Sequence, residues 1–158
     1  MNETSMKRRM LLKGGLAAGT LGVAVGAGLL SPKAVMAAWP KNAFESKSVD
    51  DALNAMNGNA DTTESGDISI KVPEIAENGA VVPVTVSTKL PAEAIAIMAA
   101  SNGTPLAAKF YMNDSLEGFV STRIKMGKTG DIIALVKSGG KIYSAKKPVK
   151  VTIGGCGG

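Results

Sequence analysis

The chain has 158 residues, 45% of them hydrophobic and 20% charged, which suits one globular domain plus a targeting segment and excludes wholesale disorder. It contains no histidine and one cysteine, so an intrachain disulfide, a cysteine-based zinc site and a covalent c-type haem are all excluded. The formal net charge is +5, but that excess is confined to one end and gives no argument for nucleic-acid binding.

Residues 1–37 have the order of an export signal. Lys7, Arg8, Arg9 and Lys13 make a basic start, residues 14–30 are uncharged and Gly-rich, and Ala34-Val35-Met36-Ala37-Ala38 supplies small residues for cleavage after Ala37. Lys7-Arg8-Arg9-Met10-Leu11-Leu12-Lys13 resembles a twin-arginine motif, the route that exports folded proteins. The segment holds five of the 18 basic and one of the 13 acidic side chains, so the processed chain carries a net +1. The expectation is a periplasmic protein with no membrane attachment after processing.

Residues 38–66 form an N-terminal segment with one short helix. Ser48 is placed as N-cap, Asp50 and Asp51 lie in the first turn, and Val49, Leu53 and Met56 share one face before Asn57-Gly58 stops the run. From residue 67 the apolar period becomes two. Strands are predicted at 67–72, 82–87, 93–99, 107–112, 118–126, 131–137, 141–145 and 147–153, with Asn78-Gly79 as a hairpin turn. Pro83 and Pro148 each remove a ladder donor and predict sheet edges or bulges. The segment 93–99 is equally compatible with a helix. These elements predict an all-β, immunoglobulin-like antiparallel sandwich over residues 67–153. The low charge of 80–87 and 93–99 predicts that a partner covers those strands. Met56, Met98, Met112 and Met126 read as core filler. Glu74 and Glu77 read as surface, and Lys141, Lys146, Lys147 and Lys150 as a solvated face that could dock acidic partners.

The chemistry lies in residues 154–158, where Gly154, Gly155, Gly157 and Gly158 surround Cys156. Glycine has no Cβ, so such a thread is expected to be a flexible arm that reaches about 10 Å past Ile153. No histidine is available as a base and the terminal carboxylate disfavours a thiolate, so a catalytic role is not expected; no cofactor or metal is either. A mobile thiol fits a carrier that enters other proteins' active sites. An alternative is a periplasmic scaffold module that uses Cys156 for an intermolecular disulfide.

The terminal Gly-Gly-Cys-Gly-Gly, the segment Val72–Val84, the Asn102–Pro105 turn and Thr122–Met126 together resemble the Y subunits of the periplasmic Sox (sulfur-oxidising) system. The resemblance implies a covalent carrier in thiosulfate oxidation, with cysteine S-thiosulfonate and persulfide intermediates on Cys156. It implies four partners: a Z subunit forming a heterodimer, a c-type cytochrome that couples thiosulfate, a dimanganese hydrolase that releases sulfate, and in some systems a molybdenum–haem sulfur dehydrogenase.

Overall fold

The computed structural model describes residues 40–113 and 116–152. Among the described residues two helices come first: α1 (Lys41–Glu45) and α2 (Val49–Asn57). The start of α2 is capped as the sequence predicts, since the Ser48 hydroxyl accepts from the Asp51 N–H at 3.0 Å. Gly58 ends it in the left-handed region at φ 82°, its N–H reaching the Asn54 carbonyl.

Among the described residues nine strands follow in two sheets. They are β1 (Thr63–Glu64), β2 (Ile68–Lys71), β3 (Ile75–Ala76), β4 (Val82–Thr88), β5 (Ala94–Ala99), β6 (Leu106–Tyr111), β7 (Phe119–Ile124), β8 (Gly130–Ser138) and β9 (Lys141–Val151). The larger sheet runs β1-β9-β8-β5-β6, with β3 also paired to β9; the smaller runs β2-β4-β7. Ladders are antiparallel except for β1 and β3, which pair with β9 in parallel. The expectation of a purely antiparallel protein is corrected at those two points.

The sheets share one apolar core, with Val82, Val84, Val86, Val120 and Ile124 from the smaller sheet packed with Ile95, Ile97, Ile132, Ala134, Val136 and Val149 from the larger. The alternate side chains Ala96, Met98 and Leu135 point to the other face and pack with Ala43, Ala52 and Leu53 of the helices. Hence β5 is covered on both sides, and all six of its residues are buried. Its helix-like lack of alternation has that cause. It also removes the argument for a partner over 93–99, because the chain's own helices and core cover the strand. The same holds for the buried face of β4. Met98 and Met126 are fully buried, and Met56 and Met112 pack against the two cores, all four as filler.

Both prolines fall where a ladder donor is not needed. Pro83 lies in the middle strand of its sheet, but β2 pairs only with Thr85–Thr88, so Pro83 has a neighbour on one side alone. Pro148 pairs with Asp131 of β8; on its other side the pairing with β1 ends at Ser144 of β9 and the pairing with β3 begins at Lys150. So the segments predicted as 141–145 and 147–153 are one strand running through Pro148. The β8–β9 turn is a two-residue hairpin with Gly139 at φ 55° and Gly140 at φ 74°. The Glu93 carboxylate accepts from the Gly140 N–H and pairs with Lys137. Those contacts, the backbone bond first, hold its pKa below the ordinary carboxylate value.

Candidate functional site: the root of the C-terminal segment

Strand β9 delivers the chain to the C-terminal residues, and its last turn of ladder is fastened from three directions. On one flank Val149 pairs with Gly130 of β8. On the other, Lys150 and Val151 pair with Ile75 and Ala76 of β3, and the Thr152 N–H donates to the Ala76 carbonyl at 3.1 Å. From the 125–130 turn, the Thr129 hydroxyl accepts from the Val151 N–H at 2.9 Å and lies 3.3 Å from the Val151 carbonyl oxygen. Strand β3 is only two residues long. Its place in the fold is to hold the end of β9.

Gly79 lies against the same point. A Cβ there would strike the Met126 carbonyl oxygen and come within 2.8 Å of Val151 Cγ1. Its own carbonyl accepts from the Met126 N–H at 2.7 Å. Asn78 makes the turn, its side-chain oxygen accepting from the Ala80 N–H. Asn78-Gly79 is therefore not a two-residue hairpin between β2 and β4, as its sequence suggests. The chain between those strands crosses to the other sheet as β3, and the glycine is required by close approach of backbone.

Two loops complete this end of the molecule. Asn102 donates to the Lys125 carbonyl at 2.7 Å and accepts from the Gly127 N–H at 2.9 Å. The Ser101 hydroxyl donates to the Lys128 carbonyl at 3.0 Å. The 101–104 and 125–128 segments are thus cross-tied by side chains. Sequence reading took Asn102-Gly103 for a turn only; a bond spanning more than twenty residues leaves no local signal.

Cys156 and its neighbours Gly154, Gly155, Gly157 and Gly158 lie outside the described residues, with Cys156 four residues beyond Thr152. Among the described residues no group of histidine, cysteine, aspartate or glutamate could hold a metal ion. No described helix is long and apolar enough to cross a membrane. Glu74 and Glu77 are exposed, and no side-chain hydrogen bond or ion pair links them to other described residues. The four lysines of β9 do not form one patch. Lys141 stands at the far end of the strand, about 33 Å from Val151 at the rise of extended chain. Lys147 reaches the Ile70 carbonyl, and only Lys150 is exposed at the root. The shifted Glu93 is also at the far end, beside the β8–β9 turn.

A family model described as sulfur oxidation protein SoxY matches residues 53–156. The structure of the sulfur carrier protein SoxY from Chlorobium limicola f thiosulfatophilum is similar, with 46% sequence identity and a TM-score of 0.61, over 67% of this chain and 97% of that one. A superoxide reductase (neelaredoxin) from Ignicoccus hospitalis is matched at 21% identity and a TM-score of 0.48, over 54% of this chain and 80% of that one. No curated protein matches the chain.

Proposed function

This chain belongs to the SoxY family of sulfur oxidation proteins, and from that premise we propose that it is a periplasmic sulfur carrier whose cargo is bound to Cys156. The observation that best supports the reading is the contrast at the root. The backbone is held on both flanks as far as Val151 and on one flank at Thr152, and the only thiol of the sequence comes four residues after Thr152 among glycines. A fixed anchor followed by a glycine-flanked thiol is what delivery to several enzymes requires. The sequence has no histidine to serve as the base that a nucleophilic enzyme commonly uses.

The proposed cycle keeps all bond-making at that sulfur. A c-type cytochrome partner takes two electrons as the Cys156 sulfur joins thiosulfate, and the thiol proton goes to solvent; the product is a cysteine S-thiosulfonate. A dimanganese hydrolase adds water and releases sulfate, leaving the persulfide. Where a molybdenum–haem dehydrogenase is present, it oxidises the outer sulfur, and a second hydrolysis restores the thiol. The carrier forms a heterodimer with a Z subunit and needs no cofactor of its own. The two-sheet domain with its shared core is read as an immunoglobulin-like sandwich. Residues 1–37 are read as its twin-arginine signal.

The role of the glycines is tested without touching sulfur. In the double variant Gly154→Pro, Gly155→Pro, each proline fixes φ near −65°, so the thiol loses most of its approach directions. Partner-dependent turnover is expected to fall about tenfold or more, as misplacing a reacting group does in general. Alkylation of Cys156 by a small reagent should keep its rate. Equal turnover in the variant would remove flexibility from the account.

A further inference from the structure

Beside the root, the cross-tied 101–104 and 125–128 segments enclose an open groove of about 580 Å³. Lys47, Lys125 and Lys128 line it together with Asn102, Gly103 and Thr104, and no acidic side chain does. The three ammonium groups and the Thr104 hydroxyl make no hydrogen bond or ion pair among the described residues. We propose that this groove binds the sulfonate end of the cargo on Cys156 of the same molecule. The proposal rests on Cys156 being the loaded thiol.

Charge and reach both favour that ligand. The processed chain is nearly neutral at +1, yet three uncompensated cations converge on one groove. Such a surface selects a compact anion with several acceptor oxygens. A sulfonate has one negative charge and three such oxygens; the free thiol has neither. The polar atoms of Asn102 and Ser101 are already engaged, and their bonds fix the turn that carries Lys125 and Lys128. The groove is also close to the anchor. Lys128 adjoins Thr129, whose hydroxyl is bonded to Val151. Four residues of extended chain from Thr152 to Cys156 span about 13–14 Å.

Tethering makes a weak site sufficient. Exposed lysines hold a free anion poorly, especially at physiological salt. A short linker presents its end at a local concentration on the order of millimolar or above. The groove is then filled when the cargo ends in sulfonate and empties once sulfate has been removed. The body of the carrier would thus hold its cargo according to its chemical state.

The test loads Cys156 without partner enzymes. The Cys156 thiolate attacks an inner sulfur of tetrathionate; the new S–S bond forms, the central S–S bond breaks, thiosulfate leaves with the electron pair, and the thiol proton has gone to solvent. Methyl methanethiosulfonate gives the neutral control, Cys156–S–S–CH3, with methanesulfinate leaving. In amide NMR spectra of the purified protein, Gly103, Thr104, Lys125 and Lys128 should shift with the sulfonate adduct and not with the methyl adduct. In Lys125→Gln, Lys128→Gln the shift should shrink roughly 1.5–5-fold for each lysine removed. Free thiosulfate added to Cys156→Ser should move the same amides only weakly, without saturating at millimolar levels. Shifts confined to the tail, or equal with both adducts, would overturn the proposal. So would saturation by free thiosulfate at well under millimolar concentration, which would assign the groove to the free anion. Failure of partner enzymes to load Cys156 would be a separate result against the carrier reading, because tetrathionate loading does not involve them.

Discussion

Cys156→Ser is expected to abolish thiosulfate-dependent electron transfer in a reconstituted system while the domain folds as before. The sequence contains no other thiol, so a covalent sulfur intermediate has one address. Serine keeps the size and the hydrogen-bonding capacity of the side chain but cannot form the S–S bond on which every later step depends. Among the described residues the two apolar cores draw on none beyond Val151, and the substitution exchanges one small side chain for another, so the stability change is expected within about 0.5 kcal/mol, the range of substitutions away from the core. The paired measurements are cytochrome reduction with thiosulfate and a urea unfolding curve. Activity in the serine variant above a few per cent of the parent would place the cargo elsewhere. A wild-type protein locked as a stable intermolecular disulfide through Cys156, which no partner turns over, would favour the scaffold alternative.

The second large effect is on stability and comes from a residue that carries no chemistry. Gly79→Ala should destabilise the protein by about 1–3 kcal/mol, the usual cost of forcing a methyl group into a packed site. The added Cβ meets the Met126 carbonyl oxygen on one side and Val151 Cγ1 on the other, and Met126 is itself fully buried. Backbone must move at Gly79 or Met126, against the Val151 side chain at the end of β9. Against a total stability of about 5–15 kcal/mol this is a large fraction. Gly66→Ala is the matched control, because a Cβ there meets nothing within 4 Å. The midpoint of urea unfolding should fall for Gly79→Ala and stay near the parent for Gly66→Ala. Equal midpoints for the two would contradict the packing account.

What the sequence disclosed follows the range over which each force acts. Helix α2 was legible because its cap, its first-turn acids and its apolar stripe all lie within ten residues. Strands with one buried face, such as β4 and β7, declared themselves by alternation. Strand β5 did not, since burial on both faces erases the period. Strands β1 and β3 have two residues each and owe their existence to β9, far along the chain, so no local pattern marks them. Pro148 divided β9 into two predicted strands because its tolerance depends on where neighbouring strands stop.

The site divides in the same way. Cys156 and its glycines stand out from composition alone, as the one cysteine of the sequence set among four glycines. The surroundings of the root could not be read. Thr129, Gly79 and Ala76 meet Val151 and Thr152 only through the fold, and Asn102 joins Lys125 and Gly127 across more than twenty residues. The lysines noticed in the sequence were those adjacent to the tail in chain order. Those that line the groove beside the root, Lys47, Lys125 and Lys128, come from two loops far apart in the chain.

The central claim is that sulfur is carried on Cys156 and that an oxidant must put it there. It is tested most directly by the intact mass of the protein after incubation with thiosulfate, the c-type cytochrome partner and an electron acceptor. The account predicts a gain equal to one thiosulfate-derived group, located at Cys156 by peptide mapping, removed by a reducing thiol and absent when the cytochrome is omitted. A chain whose mass stays unchanged in the complete mixture, or an adduct that maps to any other residue, would contradict it.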